Sequence, residues 1–128
     1  MTMSVDSDFY NEIHIESSSR CNASCPMCPR NMLGKEINPM VNPKDLSLEW
    51  IFENLSDHQL EHTKKIMFCG NLGDPASCNE LIDIIKYIKS INNNCVVGLN
   101  TNGGLRSTAW WSKLAEQLVH PLDYVVFS

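Results

Sequence analysis

The chain has 128 residues, 43% hydrophobic and 20% charged, with a net charge of −5. These are fractions ordinary for a soluble globular protein, and the length suits one hydrophobic core rather than two comfortable domains, so a single domain, or part of one, is expected over residues 1–128. No apolar run approaches the roughly 20 residues of a membrane span, and an acidic chain without a basic cluster excludes an electrostatic footprint for nucleic acid while leaving room for a nucleotide-sized ligand. The N-terminal stretch MTMSVDSDFYNEIHIE has no basic start followed by an apolar core. No secretory signal is therefore expected, and a cytoplasmic location is. Six cysteines could form disulfides in a secreted scaffold, but in a reducing compartment crowded thiols point to metal.

In chain order, Ile13 and Ile15 alternate with polar His14 and Glu16, predicting a short strand that runs into RCNASCPMCPR, Arg20 to Arg30. After the Pro- and Asn-rich NPMVNPKD, Ser47 caps a predicted helix with Leu48, Ile51, Phe52 and Leu55 on one face. The following DHQLEHTKK is polar and reads as a solvated helix end or loop. His58 and His62 lie four apart, as metal ligands on a helix would, but a solvated face is the expectation. KIMFCG is an apolar run ending in glycine and suits a buried strand. Ser77 and Glu80 have capping-box spacing ahead of a helix whose Leu81, Ile84, Ile85, Ile88 and Ile91 form a stripe, with Lys86 and Lys89 turned away. CVVGLN, Cys95 to Asn100, is a third predicted strand. Thr108 caps a helix carrying Trp111, Leu114 and Leu118, and YVVFS, Tyr124 to Ser128, is a fourth strand. Trp110 and Trp111 are adjacent and cannot share a helix face, so one is expected on the sheet and the other partly exposed. The alternation of strand and helix predicts an α/β fold with parallel strands and right-handed helical crossovers.

In such sheets ligands collect at the carboxyl ends of the strands. The cysteine loop, GNLGDP, NTNGG and Ser128 all fall there and are expected to form one site. Cys21, Cys25 and Cys28 have the spacing C-x3-C-x2-C, which lets a short loop curl around a compact inorganic core. A structural zinc site normally takes four protein ligands. Three cysteines leave one position open, as in an iron-sulfur cubane with one iron free. The alternatives are a zinc-stabilised binding module, its site completed by a His or a distant Cys, and a plain iron-sulfur electron carrier. Cys69, Cys78 and Cys95 read as small buried hydrophobes, and Glu16 and Asn71 border the proposed site as ligand contacts or polar strand ends.

The cysteine spacing at the end of the first strand resembles the radical S-adenosylmethionine (radical SAM) enzymes, and the resemblance extends over nearly the whole chain. Gly73-Asp74-Pro75 stands where that family has Gly-Glu-Pro, with Asp74 in place of the usual Glu. Thr101-Asn102-Gly103 matches the family's Thr-Asn-Gly after the third strand. Ser128 matches a serine at the end of the fourth, and Met27 stands where the family places an apolar residue against adenine. The resemblance implies that Cys21, Cys25 and Cys28 hold a [4Fe-4S] cluster whose fourth iron chelates S-adenosylmethionine. It implies cofactor contacts from Met27, Gly73, Asp74, Thr101, Asn102 and Ser128, with Asp74 the principal carboxylate for the methionine ammonium. The implied activity is reductive cleavage of S-adenosylmethionine to a 5′-deoxyadenosyl radical that abstracts hydrogen from a substrate. A one-electron reductant of flavodoxin or ferredoxin type is an implied partner, and CPMCPR resembles members acting on peptides or proteins. No residue is singled out as catalytic toward substrate. The family barrel has six βα units, so the expected fold is a partial (β/α)6 TIM-like barrel of about four parallel strands. The chain is then the N-terminal portion of a radical SAM core, with the C-terminal strands missing.

Overall fold

A computed structural model describes residues 11–128. Residues 1–10, which carry most of the segment behind the export expectation, lie outside the described residues. The elements in order are β1 (Glu12–Ile15), a short hairpin of β2 (Asn31–Met32) and β3 (Glu36–Ile37), α1 (Leu48–Asn54) and α2 (Asp57–His62). They are followed by β4 (Lys65–Phe68), a 3-10 turn (Pro75–Ser77), α3 (Leu81–Ile91), β5 (Val96–Thr101), α4 (Thr108–Gln117) and β6 (Tyr124–Phe127). Strands β1, β4, β5 and β6 lie side by side in that order, every pair parallel. Ile15 pairs with Phe68, Phe68 with Leu99, and Thr101 with Phe127. This register brings the carboxyl ends of all four strands to one edge. The result is the α/β, partial TIM-like arrangement predicted from the sequence.

Strand alternation divides the sheet into two faces. Ile66 and Phe68 of β4 and Val97 and Leu99 of β5 are fully buried, and they pack with Ile51 of α1, Leu60 of α2, the α3 stripe and Leu114 of α4. Lys65 and Met67 point the other way and are only partly covered. There Tyr124 lies against Gly98, where a Cβ would strike its ring, and its hydroxyl reaches Met67 Sδ at 3.4 Å. In α3, Leu81, Ile84, Ile85 and Ile88 have no solvent exposure. Truncating any of them to alanine removes about 2–5 kcal/mol by the usual cost of a core cavity.

Several local expectations need correction. Ser77 does not cap α3: it belongs to the 3-10 turn, the N-cap is Glu80 without a side-chain bond, and the Glu80 carboxylate accepts instead from Leu48 N. Ser107, not Thr108, caps α4, accepting from Trp110 N. Ser47 caps α1 as predicted, but Phe52 leaves the buried face and packs edge-on against Tyr87, ring centroids 4.6 Å apart. DHQLEH is a helix of its own, because Ser56 and Gln59 form a reciprocal capping box. Lys89 is not turned away. Its ammonium is buried, bonded to Cys95 O at 2.7 Å and paired with Asp123, which also accepts from Val97 N and His120 N. Trp110 and Trp111 are both half-buried against the core, their rings edge to face 4.8 Å apart.

Between β1 and α1 the chain is tied down by polar bonds. Asp45 accepts from Ser18 Oγ, from the Arg20 guanidinium and from Asn79 N, linking the Pro-rich segment to the cysteine loop. Burial acts to raise the Asp45 pKa, but these bonds outweigh it and hold the carboxyl below its ordinary 3.8. A carboxylate depressed in the folded state contributes stability above its unfolded pKa, lost as pH falls through the folded one. We therefore expect Asp45→Asn to melt below wild type at neutral pH, with the gap closing on acidification below pH 3.8. A gap that stayed constant down the titration would show that charge is not its source.

Candidate functional site

A cavity of about 530 Å³ opens at the carboxyl ends of the sheet, and Cys21, Cys25, Cys69, Gly73, Asp74 and Thr101 are among the residues that line it, with Asn102 and Ser128 at its β5 and β6 ends. Loops after all four strands thus contribute, as the strand-end argument requires. The β1 loop carries the three cysteines. Its turn is closed by Cys28 N donating to Cys25 O and Asn31 N donating to Cys28 O. Cys25 is exposed, Cys21 and Cys28 half-buried. Cys21 Sγ receives bonds from Ala23 N and from Asn102 Nδ2, both 3.4 Å, and Cys28 Sγ lies 3.9 Å from Asn71 O.

Asp74 is the hub of the loops. The side chain is 4% exposed, so its negative charge must be met by donors. Oδ1 accepts from Ala76 N at 2.9 Å and Thr101 Oγ1 at 2.8 Å, and Oδ2 accepts from Asn102 N at 2.7 Å. One carboxylate thereby fixes the 3-10 turn after β4 to the end of β5. A carboxylate offers about four acceptor positions, so one remains on Oδ2. Asn102 carries the chain of contacts onward, because its Nδ2 donates to Asn22 Oδ1 at 2.9 Å as well as to Cys21 Sγ. Thr101 O accepts from Ser128 N, which draws the end of β6 to the same rim.

Two glycines are required by this arrangement. A Cβ on Gly73 would collide with the Ser18 carbonyl, so only glycine lets the β4 loop lie against the cysteine loop. Gly103 has φ +72°, a left-handed conformation that favours glycine, and a Cβ there would also meet the Phe127 ring.

Of the residues singled out from the sequence, Cys21, Cys25, Gly73, Asp74, Thr101, Asn102 and Ser128 meet at the cavity. Cys28 and Met27 are not among its lining residues: Cys28 is half-buried with its Sγ near Asn71 O, which does line the cavity, and Met27 is 92% exposed on the outer turn. Glu16 and Asn71 bond one another at 3.0 Å. Cys78 and Cys95 are buried as expected, but Cys69 is half-buried and faces the cavity. The Asn22–Asn102–Cys21 contact had no signal in the sequence beyond proximity of its loops in the expected topology. Burial pushes the Cys78 thiol up and the Cys95 thiol to about 11. Alkylation of the reduced, metal-free chain at about pH 8, where reactivity follows the thiolate fraction and access, should mark Cys25 first and spare Cys78 and Cys95. Peptide mass spectrometry finding Cys95 modified as fast as Cys25 would contradict this environment.

Among the described residues, the three metal-ligating side chains whose donor atoms lie within 4.8 Å of one another are His58, Glu61 and His62, all exposed on α2. Three soft sulfur donors on one loop fit an iron-sulfur cluster, whereas a structural zinc site takes a fourth protein ligand.

Fold and cavity together define an α/β protein with a cysteine-rich site at the carboxyl ends of its parallel strands. No family model matches the chain. Over 116 residues it is 27% identical to the tungsten-containing aldehyde ferredoxin oxidoreductase cofactor-modifying protein of Pyrococcus furiosus, a match covering 91% of this chain and 30% of that protein. Its structure is similar to the crystal structure of BtrN in complex with AdoMet and 2-DOIA, with a TM-score of 0.66 and 20% identity over 91% of this chain and 45% of that one. An open conformation of BtrN gives a TM-score of 0.62 and 22% identity over 91% and 49%. The chain shares the BtrN fold and spans just under half of that protein's length.

Proposed function

We propose that the chain is the N-terminal part of a radical S-adenosylmethionine enzyme, with Cys21, Cys25 and Cys28 holding a [4Fe-4S] cluster and the adjoining cavity taking S-adenosylmethionine. The observation that carries this reading is the convergence on one cavity of the cysteine loop with the Asp74–Thr101–Asn102 network. The shared fold with BtrN, which was crystallised with AdoMet, and the name of the curated relative, a cofactor-modifying protein, support it. When bound, the cluster supplies the electron for reductive cleavage of S-adenosylmethionine to a 5′-deoxyadenosyl radical, which takes hydrogen from the substrate.

The chain's own residues divide the remaining work. Asn102 donates a hydrogen bond to the Cys21 sulfur, and such bonds ease the accumulation of negative charge on a ligated thiolate. Asp74 organises the β4 and β5 loops and keeps one acceptor position on Oδ2 for the methionine ammonium. Gly73 admits the close approach of two backbones, and Thr101 and Ser128 close the β5–β6 rim, where ribose or carboxylate oxygens would lie. A one-electron donor of flavodoxin or ferredoxin type would be the partner that reduces the cluster. For the substrate, a peptide or protein is one candidate.

The test is anaerobic. The chain is reconstituted with iron and sulfide, reduced, and studied by electron paramagnetic resonance with and without S-adenosylmethionine. A cubane signal that changes on adding the cofactor is the expected result. A cubane signal indifferent to it would favour a plain electron carrier, and bound zinc without sulfide would favour the structural module.

A further inference from the structure

Outside the proposed cofactor site, a second and larger cleft of about 770 Å³, open to solvent, lies between the cysteine loop and the start of α4. Arg20, Arg30 and Arg106 all line it, together with Asn79, Ser107 and Trp110, and none of its lining residues is acidic. Such a concentration of guanidinium groups is unexpected in a chain of net charge −5.

The three arginines are not equivalent. Arg20 is neutralised by Asp45 and bonded to Ser77 O. Arg106 donates to Ala76 O, Ser77 O and Asn79 Oδ1 and lies over the Trp110 ring, 5.3 Å from its centroid, and among the described residues it has no carboxylate partner. Arg30 is the unusual one. It is only 7% exposed, yet its one side-chain hydrogen bond among the described residues is a long one, Nε to Ser19 O at 3.3 Å, and no ion pair meets its charge. Its Nη nitrogens are not among the orphaned buried atoms of the described residues, which are Ser17 Oγ and Asn31 Nδ2, so the stem is buried while the guanidinium end opens into the cavity with donors to spare for a ligand. The first turn of α4, capped by Ser107 at the cavity wall, adds the positive end of a ten-residue helix.

We infer that this cavity is a binding site for the phosphate group of a small molecule, held by Arg30 and Arg106 beside the N-terminus of α4, with Trp110 as a flat wall for the rest of the ligand. Two guanidinium groups without carboxylates match the double charge of a phosphate monoester, and their forked donors suit its oxygens. The volume lies within the range of small-molecule sites. The inference does not rest on the cluster or on S-adenosylmethionine: the two cavities share only Cys21 among their lining residues.

The experiment is a calorimetric titration of the chain with sodium phosphate and, separately, phenyl phosphate, near neutral pH and at ionic strength held constant with chloride. Saturable binding of at least one of them is expected. Tighter binding of phenyl phosphate would assign the site to a phosphate ester using the Trp110 wall, and equal affinity to free phosphate; either upholds the anion site. Arg30→Met should weaken binding at least tenfold while its melting temperature in chloride stays close to that of wild type, because methionine keeps the buried apolar stem and gives up one long hydrogen bond. Arg106→Gln should show a similar loss of affinity and covers the case in which Arg30→Met does not fold. Absence of saturable binding by wild type overturns the inference, as does unchanged affinity in the folded variants. A destabilised Arg30→Met that binds phosphate normally would make Arg30 a structural side chain and overturn it equally.

Discussion

On the proposed reading, replacing Cys25 with alanine should leave the chain unable to take up iron and sulfide on reconstitution while its far-ultraviolet circular dichroism stays that of wild type. The side chain is exposed, and its sulfur makes no hydrogen bond among the described residues, so its loss opens no cavity in the core and frees no buried partner. What disappears is one of three donors on a loop that has no fourth. Two thiolates on a short, solvent-facing turn hold a cluster poorly, and the whole complement, rather than a fraction of it, is expected to go. Cys95→Ala is the informative control. Its thiol is fully buried in the core, so the substitution should cost stability through lost packing and leave the cluster intact. Iron and sulfide analysis of the two variants side by side decides the ligand assignment. A full complement in Cys25→Ala would refute it.

The parts of this architecture legible in the sequence are those written in local pattern. The isoleucine period of α3, the compact apolar run of β4 and the alternation of helices with strands required no knowledge of distant contacts, and the parallel sheet with its strand ends gathered on one edge followed from them. Cap positions were less legible, because Ser77 and Glu80 satisfy capping-box spacing yet the segment between them turns as a 3-10 helix anchored by Asp74. That preference is set by Thr101 and Asn102, about 27 residues further along, and no window around Ser77 contains it. Lys89 was misplaced for a similar reason. Helical periodicity turned it outward, whereas Asp123, 34 residues away, draws it into the core. The arginine cleft is not legible in sequence, since Arg20, Arg30 and Arg106 make no cluster there and come together only in the folded chain.

Asp74→Ala is expected to remove about 3–5 kcal/mol of stability and, on the proposed reading, to abolish the response of the reduced chain to S-adenosylmethionine. The carboxylate accepts from Ala76 N, Thr101 Oγ1 and Asn102 N while almost fully buried. Hydrogen bonds to a charged group are worth roughly 1.5–3 kcal/mol each, and water entering from the adjoining cavity would recover part of that sum, which gives the stated range. The functional half follows because the same bonds align the β4 loop with the end of β5, and Asn102 in turn donates to the Cys21 sulfur. Asp74→Glu separates the two effects. It keeps the charge and supplies the residue usual in the radical SAM enzymes that this loop resembles, but a longer side chain must displace either the 3-10 turn or Thr101, so on the proposed reading stability should fall while the spectroscopic response to S-adenosylmethionine survives. Urea unfolding and the paramagnetic spectrum of the three proteins, measured together, test this. A fully stable Asp74→Ala would mean that the carboxylate is not the hub, and an unstable one with an unchanged response would confine Asp74 to holding the loops and leave the ammonium to backbone carbonyls.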